Sequence, residues 1–249
     1  MKYLLSLPLL FAPLASCHID FDSDGTWTVD GVRLEEHHVD KLEILSWDPA
    51  GLTIENGAGD VTILSDPGPT RIEATLHEVT IGDASLEYLD GKLTTVTASG
   101  EPSAIGNLTM WTNMPLNILR VTAGAGDITL SGVSITDRLT LESGSGDILV
   151  EEIADLVNLG ASSGMGDVDI VSLTCPSLNA ATGMGDITLR FVTSDRASLA
   201  TGMGDIDAIE SQFAQLKAAT GMGDIDASKS SYDSGDFDTG MGDIRRAND

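Results

Sequence analysis

The stretch Ala-Ala-Thr-Gly-Met-Gly-Asp-Ile-Asp-Ala at 218–227 returns almost unchanged as AATGMGDITL at 180–189 and as LATGMGDIDA at 199–208. A chain that rewrites one string this closely is built from stacked copies of one structural unit, so the period is read before any secondary structure. The signature Gly-x-Gly-Asp-(Ile/Val) ends on Asp60, Asp127, Asp147, Asp167, Asp186, Asp205, Asp224 and Asp243. The last seven are separated by 20, 20, 19, 19, 19 and 19 residues. The wider interval between Asp60 and Asp127 has room for three degenerate units of about 22 residues each at the period of the repeat.

With each aspartate taken as position 0, positions +1 and +3 are apolar: Ile128/Leu130, Ile148/Val150, Val168/Ile170 and Ile187/Leu189. Positions −8 and −6 are apolar too: Leu119/Val121, Leu139/Leu141, Leu178/Ala180 and Leu216/Ala218. Apolar residues two apart on both sides of a glycine corner indicate short strands with one buried face, and the three- and four-residue spacings of a helix are not sustained. One such unit cannot bury its face alone; a stack buries a continuous column. The expected fold is therefore all-β, a single-stranded β-solenoid (parallel β-helix) with rungs of 19–20 residues. A β-sandwich also uses short strands and glycine turns, but hairpin connections do not require equal loop lengths.

Stacking turns each repeat position into a ladder with a spacing of about 4.8 Å. The two glycines supply backbone freedom at a sharp corner. Ser143, Ser163, Thr182, Thr201, Thr220 and Thr239 at position −4 form a hydroxyl ladder able to bond between rungs. Mixed residues at +2 (Thr129, Leu149, Asp169, Thr188, Asp207) argue against an ice-binding threonine face. Met165, Met184, Met203, Met222 and Met241 occupy position −2. Methionine fills irregular core space, which is the expected role here, whereas thioethers also bind soft metals.

The candidate site is the column Asp127, Asp147, Asp167, Asp186, Asp205, Asp224 and Asp243. Neighbouring carboxylates at this spacing repel by roughly 0.9 kcal/mol in water-like dielectric, so something must offset the charge. Either each carboxylate accepts backbone N–H groups in its own corner, as aspartates in turns do, or calcium bridges successive rungs through hard oxygen ligands. The repeats of secreted calcium-binding β-rolls and of some bacterial adhesins look similar, but carry further glycines and a second polar residue that this string lacks.

The N-terminus has the order of an export signal: Lys2, an apolar run from Tyr3 to Leu14, then small residues before Cys17. Leu14-Ala15-Ser16-Cys17 resembles a bacterial lipobox, which implies a signal peptide over 1–16, acylation of Cys17 and a membrane-tethered mature chain. His18 after the cysteine implies the outer membrane under lipoprotein sorting rules. Residues 17–41 are expected to be a tether or an N-terminal cap, and 42–249 the solenoid domain.

Thirteen basic residues against 39 acidic ones give a formal charge of −26. Such a surface repels phosphate backbones, which excludes nucleic acid, and makes divalent cations the natural small partners. Cys175 has no second mature cysteine to pair with once Cys17 carries lipid. An enzyme is not expected: no nucleophile elbow or phosphate loop appears, and no histidine has metal-ligand spacing with a cysteine. His37-His38 following Glu35-Glu36 reads as a solvated loop. Sugar-cleaving β-helices line a groove with aromatic residues, yet aromatics are only 4% of this chain.

The segments LTIENGAGDVTI (52–63) and NMPLNILRVTAGAGDITL (113–130), with the run of Gly-Asp-Ile corners that follows, resemble the adhesin-like β-solenoid domain of bacterial envelope proteins. The resemblance covers residues 42–246 and implies a surface or periplasmic location and no established catalytic residues; another envelope or surface protein is the expected macromolecular partner.

Overall fold

The computed structural model describes residues 19–21, 27–48, 51–153 and 155–247. The expected signal segment 1–16 and the expected acylation site Cys17 lie outside the described residues.

In chain order the strands are β1 (Ile19–Phe21), β2 (Trp27–Val29), β3 (Val32–Leu34), β4 (Glu36–Ile44), β5 (Leu52–Ala58), β6 (Val61–Ser65), β7 (Thr70–Glu78), β8 (Ala84–Leu89), β9 (Lys92–Thr97), β10 (Ser103–Thr112) and β11 (Leu116–Ala125). They continue as β12 (Ile128–Ser131), β13 (Ile135–Ser145), β14 (Ile148–Glu151), β15 (Asn158–Met165), β16 (Val168–Val171), β17 (Thr174–Met184), β18 (Ile187–Arg190), β19 (Thr193–Met203), β20 (Ile206–Met222), β21 (Ile225–Met241) and β22 (Ile244–Arg245). From β11 onward the pairings are parallel and, apart from shifts between Leu116 and Ile118 and around Ile209, keep the register of the repeat, as in Leu139↔Leu159, Leu159↔Leu178 and Leu178↔Ala197. This is a β-solenoid. One face runs β10-β6-β12-β14-β16-β18-β20, and the other runs β5-β11-β13-β15-β17-β19-β20. The +1/+3 and −8/−6 residues of successive rungs fill the space between them as one buried column.

The interval between Asp60 and Asp127 does not hold three extra rungs. β5 pairs with β11 and β6 with β12, so the two corners are direct neighbours in the stack. The residues between them close the N-terminal end with antiparallel strands. β10 returns parallel to β6, β7 pairs antiparallel to β10 and β4 antiparallel to β7, while the β8–β9 hairpin is laid against β5. Antiparallel strands can be joined by short turns, so they finish an open parallel edge without further full rungs. The line expected between residues 41 and 42 falls inside β4. His37 and His38 stand on that strand rather than in a loop, and His38 meets buried Glu78.

The antiparallel sheet β1–β2–β3 packs Trp27, Val29 and Leu34 onto Ala58 and Ala104, with Val79 and Ala125 at the margin and Trp27 stacked on His77 at 4.2 Å. At the C-terminal end the last rung is polar, with Arg245 near Asp226 and Arg246 over the ring of Phe237.

Candidate functional site

The seven aspartates stand in one column, and their order in space adds two members. Asn107 sits where the rung before Asp60 would place its aspartate, so the ladder runs Asn107, Asp60, Asp127 and on to Asp243. Each Oδ1 accepts the backbone N–H of the next ladder residue: Asn107 from Asp60 at 2.9 Å, Asp127 from Asp147 at 2.8 Å, Asp186 from Asp205 at 2.7 Å and Asp224 from Asp243 at 2.8 Å. The donor comes from the neighbouring rung, not from the aspartate's own corner as expected. A charge-assisted bond of this kind is worth about 1.5–3 kcal/mol, enough to offset the repulsion between neighbouring carboxylates. The aspartates need no cation to be accounted for. Among the described residues no group of three or more His, Cys, Asp or Glu is placed to hold a metal ion.

The hydroxyl ladder also bonds between rungs, but to backbone. Ser163 Oγ donates to Gly146 O at 2.8 Å, Thr201 Oγ1 to Gly185 O at 2.9 Å and Thr239 Oγ1 to Gly223 O at 3.0 Å. Where position −4 is Ala123, no hydroxyl reaches Gly59 O. Asn56 fills that place, its Nδ2 donating both to Gly59 O (2.8 Å) and to Gly106 O (2.9 Å).

The two corner glycines do different work. Gly204 has φ +145°, open to glycine, whereas Gly202 has no such angle. At Gly202 a Cβ would stand 2.6 Å from Gly183 O, so glycine is required there by close approach of backbones. A second corner, five residues after each aspartate, is left-handed without glycine at Glu152, Ser172, Phe191 and Glu210.

The methionines are not core filler. Met165, Met184, Met203, Met222 and Met241 are 42–65% exposed, beside the aspartate column. Strand alternation would place position −2 on the buried side with −4, but the chain has already begun to turn: Thr182 is buried, while Gly183 and Met184 both face outward.

A second acidic group lies at +2. Asp207 and Asp226 line a depression with Asp205, Asp224, Lys229 and Arg245. Burial pushes the Asp207 carboxyl up, helped by Asp226, Asp205 and Asp186 and opposed by Lys229. Asp226 is held low by hydrogen bonds from the Ser228 side chain and backbone, with Arg245 and Lys229 assisting against burial. Cys175 is buried and its thiol is pushed up to about 11 by burial, so it stays protonated and inert. On the outer face of the second sheet, two shallow grooves adjoin at Asn179 and Ser198, bordered by Arg196, Gln215 and Lys217.

The buried carboxylate of Glu78 was not legible in the sequence. It is 1% exposed and accepts the N–H groups of Gly82 and Ala84, both at 2.7 Å, while meeting His38 Nδ1 at 2.5 Å. These donors organise the β7–β8 turn of the cap.

Residues 154–249 match the family model described as Toastrack DUF4097. Among solved structures, a "putative adhesin" from Parabacteroides distasonis is similar over 84% of this chain and 97% of its own, with a TM-score of 0.53 and 11% identity. A "putative adhesin" from Bacteroides fragilis aligns over 85% and 97%, with a TM-score of 0.49 and 15% identity. A "putative lipid binding protein" from Parabacteroides distasonis aligns over 85% and 98%, with a TM-score of 0.44 and 13% identity. No curated protein matches the chain at a significant level. At 11% identity the likeness to the first of these is one of fold, and fold does not carry function.

Proposed function

We propose that this protein is a non-catalytic, exported lipoprotein, anchored through Cys17 to the cell envelope at the outer membrane, where its acidic solenoid serves as a rigid adhesin-like interaction surface for another envelope or surface protein. The observation that carries this reading is the unbroken side-chain-to-backbone ladder from Asn107 to Asp243, which ties each rung to the next and makes a stiff, strongly anionic edge. The depressions on its surface are open grooves, suited to contact over an area rather than to enclosing a reacting substrate. The adhesin designation of a fold relative is consistent with this role.

The test uses the full chain in the producing bacterium. Labelled palmitate should be incorporated in the parent and lost in Cys17→Ser, and cells making the parent should adhere to their substratum more than cells that release the Cys17→Ser protein. Equal adherence of the two strains would remove the adhesin-like role, and absence of label in the parent would remove the anchor.

A further inference from the structure

The exposed methionine column is not explained by packing. Backbone register pairs Met165 with Met184, Met184 with Met203, Met203 with Met222 and Met222 with Met241. At the N-terminal end of the same column, Ala58 is buried and Ala125 is half-buried under the β1–β3 sheet, and Ser145 follows, so the corner itself accepts small residues. An exposed side chain gains little from burial, and a long flexible one is the most costly to order. If the corner needed only an apolar cover, leucine would serve. What methionine alone adds is a thioether sulfur.

Thioethers are soft, neutral ligands that select soft ions such as Cu(I) and leave hard cations to carboxylates. Rungs stand about 4.8 Å apart, close to twice a metal–sulfur bond of about 2.3 Å, so sulfurs of adjacent rungs can close on one ion without bending the backbone. The aspartate column two residues away raises the local concentration of any cation without competing for a soft one.

We propose that Met165, Met184, Met203, Met222 and Met241 form a surface thioether ladder that binds soft monovalent cations, Cu(I) or Ag(I), each held by sulfurs of two or three successive rungs. Binding is coordination alone. A thioether has no proton to release, so affinity is insensitive to pH across neutrality, unlike that of a thiolate site. The buried Cys175 thiol takes no part.

The experiment titrates silver nitrate, in chloride-free buffer, into the full chain carrying Cys17→Ser and labelled with methyl-13C methionine. The expected result is a shift of the five ladder methyls, no shift of buried Met110, and saturation near two ions per chain. Replacing all five by leucine should weaken binding more than ~10-fold, since losing even a group that only orients a metal ligand typically costs that much, with the melt unchanged. Should that variant fail to fold, Met184→Leu with Met222→Leu leaves no two ladder sulfurs on successive rungs and should weaken silver binding to the same extent. Unshifted ladder methyls, or equal silver affinity in the leucine variants, would overturn the proposal and assign any bound ion to carboxylate or thiol.

Discussion

The carboxylate of Asp186 accepts the backbone N–H of Asp205, 19 residues onward in sequence and one rung onward in space, at 2.7 Å. What the ladder uses is therefore an acceptor oxygen, and its charge is a cost. Asn107 heads the ladder with an amide oxygen doing the same work. Asp186→Asn should leave the melting temperature unchanged or raise it slightly, because the acceptor stays and two repulsions go. Asp186→Ala should destabilise by about 1–2 kcal/mol, because the Asp205 N–H loses its partner. Denaturant melts read both, and a calcium-held ladder would instead show Asn as damaging as Ala and a melting temperature that rises with millimolar calcium over chelator.

The glycines separate by mechanism. At Gly204 a Cβ would stand 2.0 Å from Gly185 O at φ +145°, so Gly204→Ala combines an unfavourable angle with overlap and should cost about 3 kcal/mol or more. At Gly160 a Cβ would meet no atom within 4 Å, and the backbone has no left-handed angle. Gly160→Ala should be neutral or stabilise by about 0.4–1 kcal/mol through the unfolded chain. Conversely, Glu210, at φ +49°, should gain about 1 kcal/mol on Glu210→Gly. Equal melting temperatures across these three variants would contradict the corner geometry.

Glu78 makes the N-terminal cap acid-sensitive. Burial alone would raise its pKa, but the N–H groups of Ala84 and Gly82 together with His38 hold it below the ordinary value of 4.5. A carboxyl lowered in the folded state contributes stability that is present above the unfolded pKa and is lost as pH falls through the folded one. Glu78→Ala, which orphans two backbone donors, should cost on the order of 2–3 kcal/mol at neutral pH, with the deficit shrinking below the carboxylate range. Unfolding curves of parent and variant from pH 7 to pH 3 should converge; a constant gap would show that the charge is irrelevant.

Asp207 has the opposite sign. Burial and the carboxylates of Asp226, Asp205 and Asp186 raise its pKa. A raised acid penalises the folded state above its pKa, and the penalty is relieved as the group protonates on acidification. Asp207→Asn should therefore stabilise at neutral pH, by up to about 1 kcal/mol for like charges on paired strands, and the gain should vanish at low pH. A loss of stability at neutral pH would mean that Lys229 outweighs the three aspartates.

The sequence by itself determined the repeat, the strands and the solenoid. A period of 19–20 residues with apolar positions two apart has one compact solution, because a single rung cannot bury its face except against its copies. It also located the aspartate column, since identical residues one period apart must stack. Tertiary structure decided what depends on neighbours far along the chain. Within the Asp60–Asp127 interval β10 continues the stack parallel to β6, while β7 and the β8–β9 hairpin add the antiparallel pairings that finish the end, since antiparallel strands need only short turns. Asn107 joined the ladder although its corner keeps neither the first glycine nor the aspartate, so no motif marked it. Glu78 found its donors only when the β7–β8 turn closed around it. The methionines face solvent because the backbone turns between positions −4 and −2, and alternation, a rule for straight strands, fails at a bend.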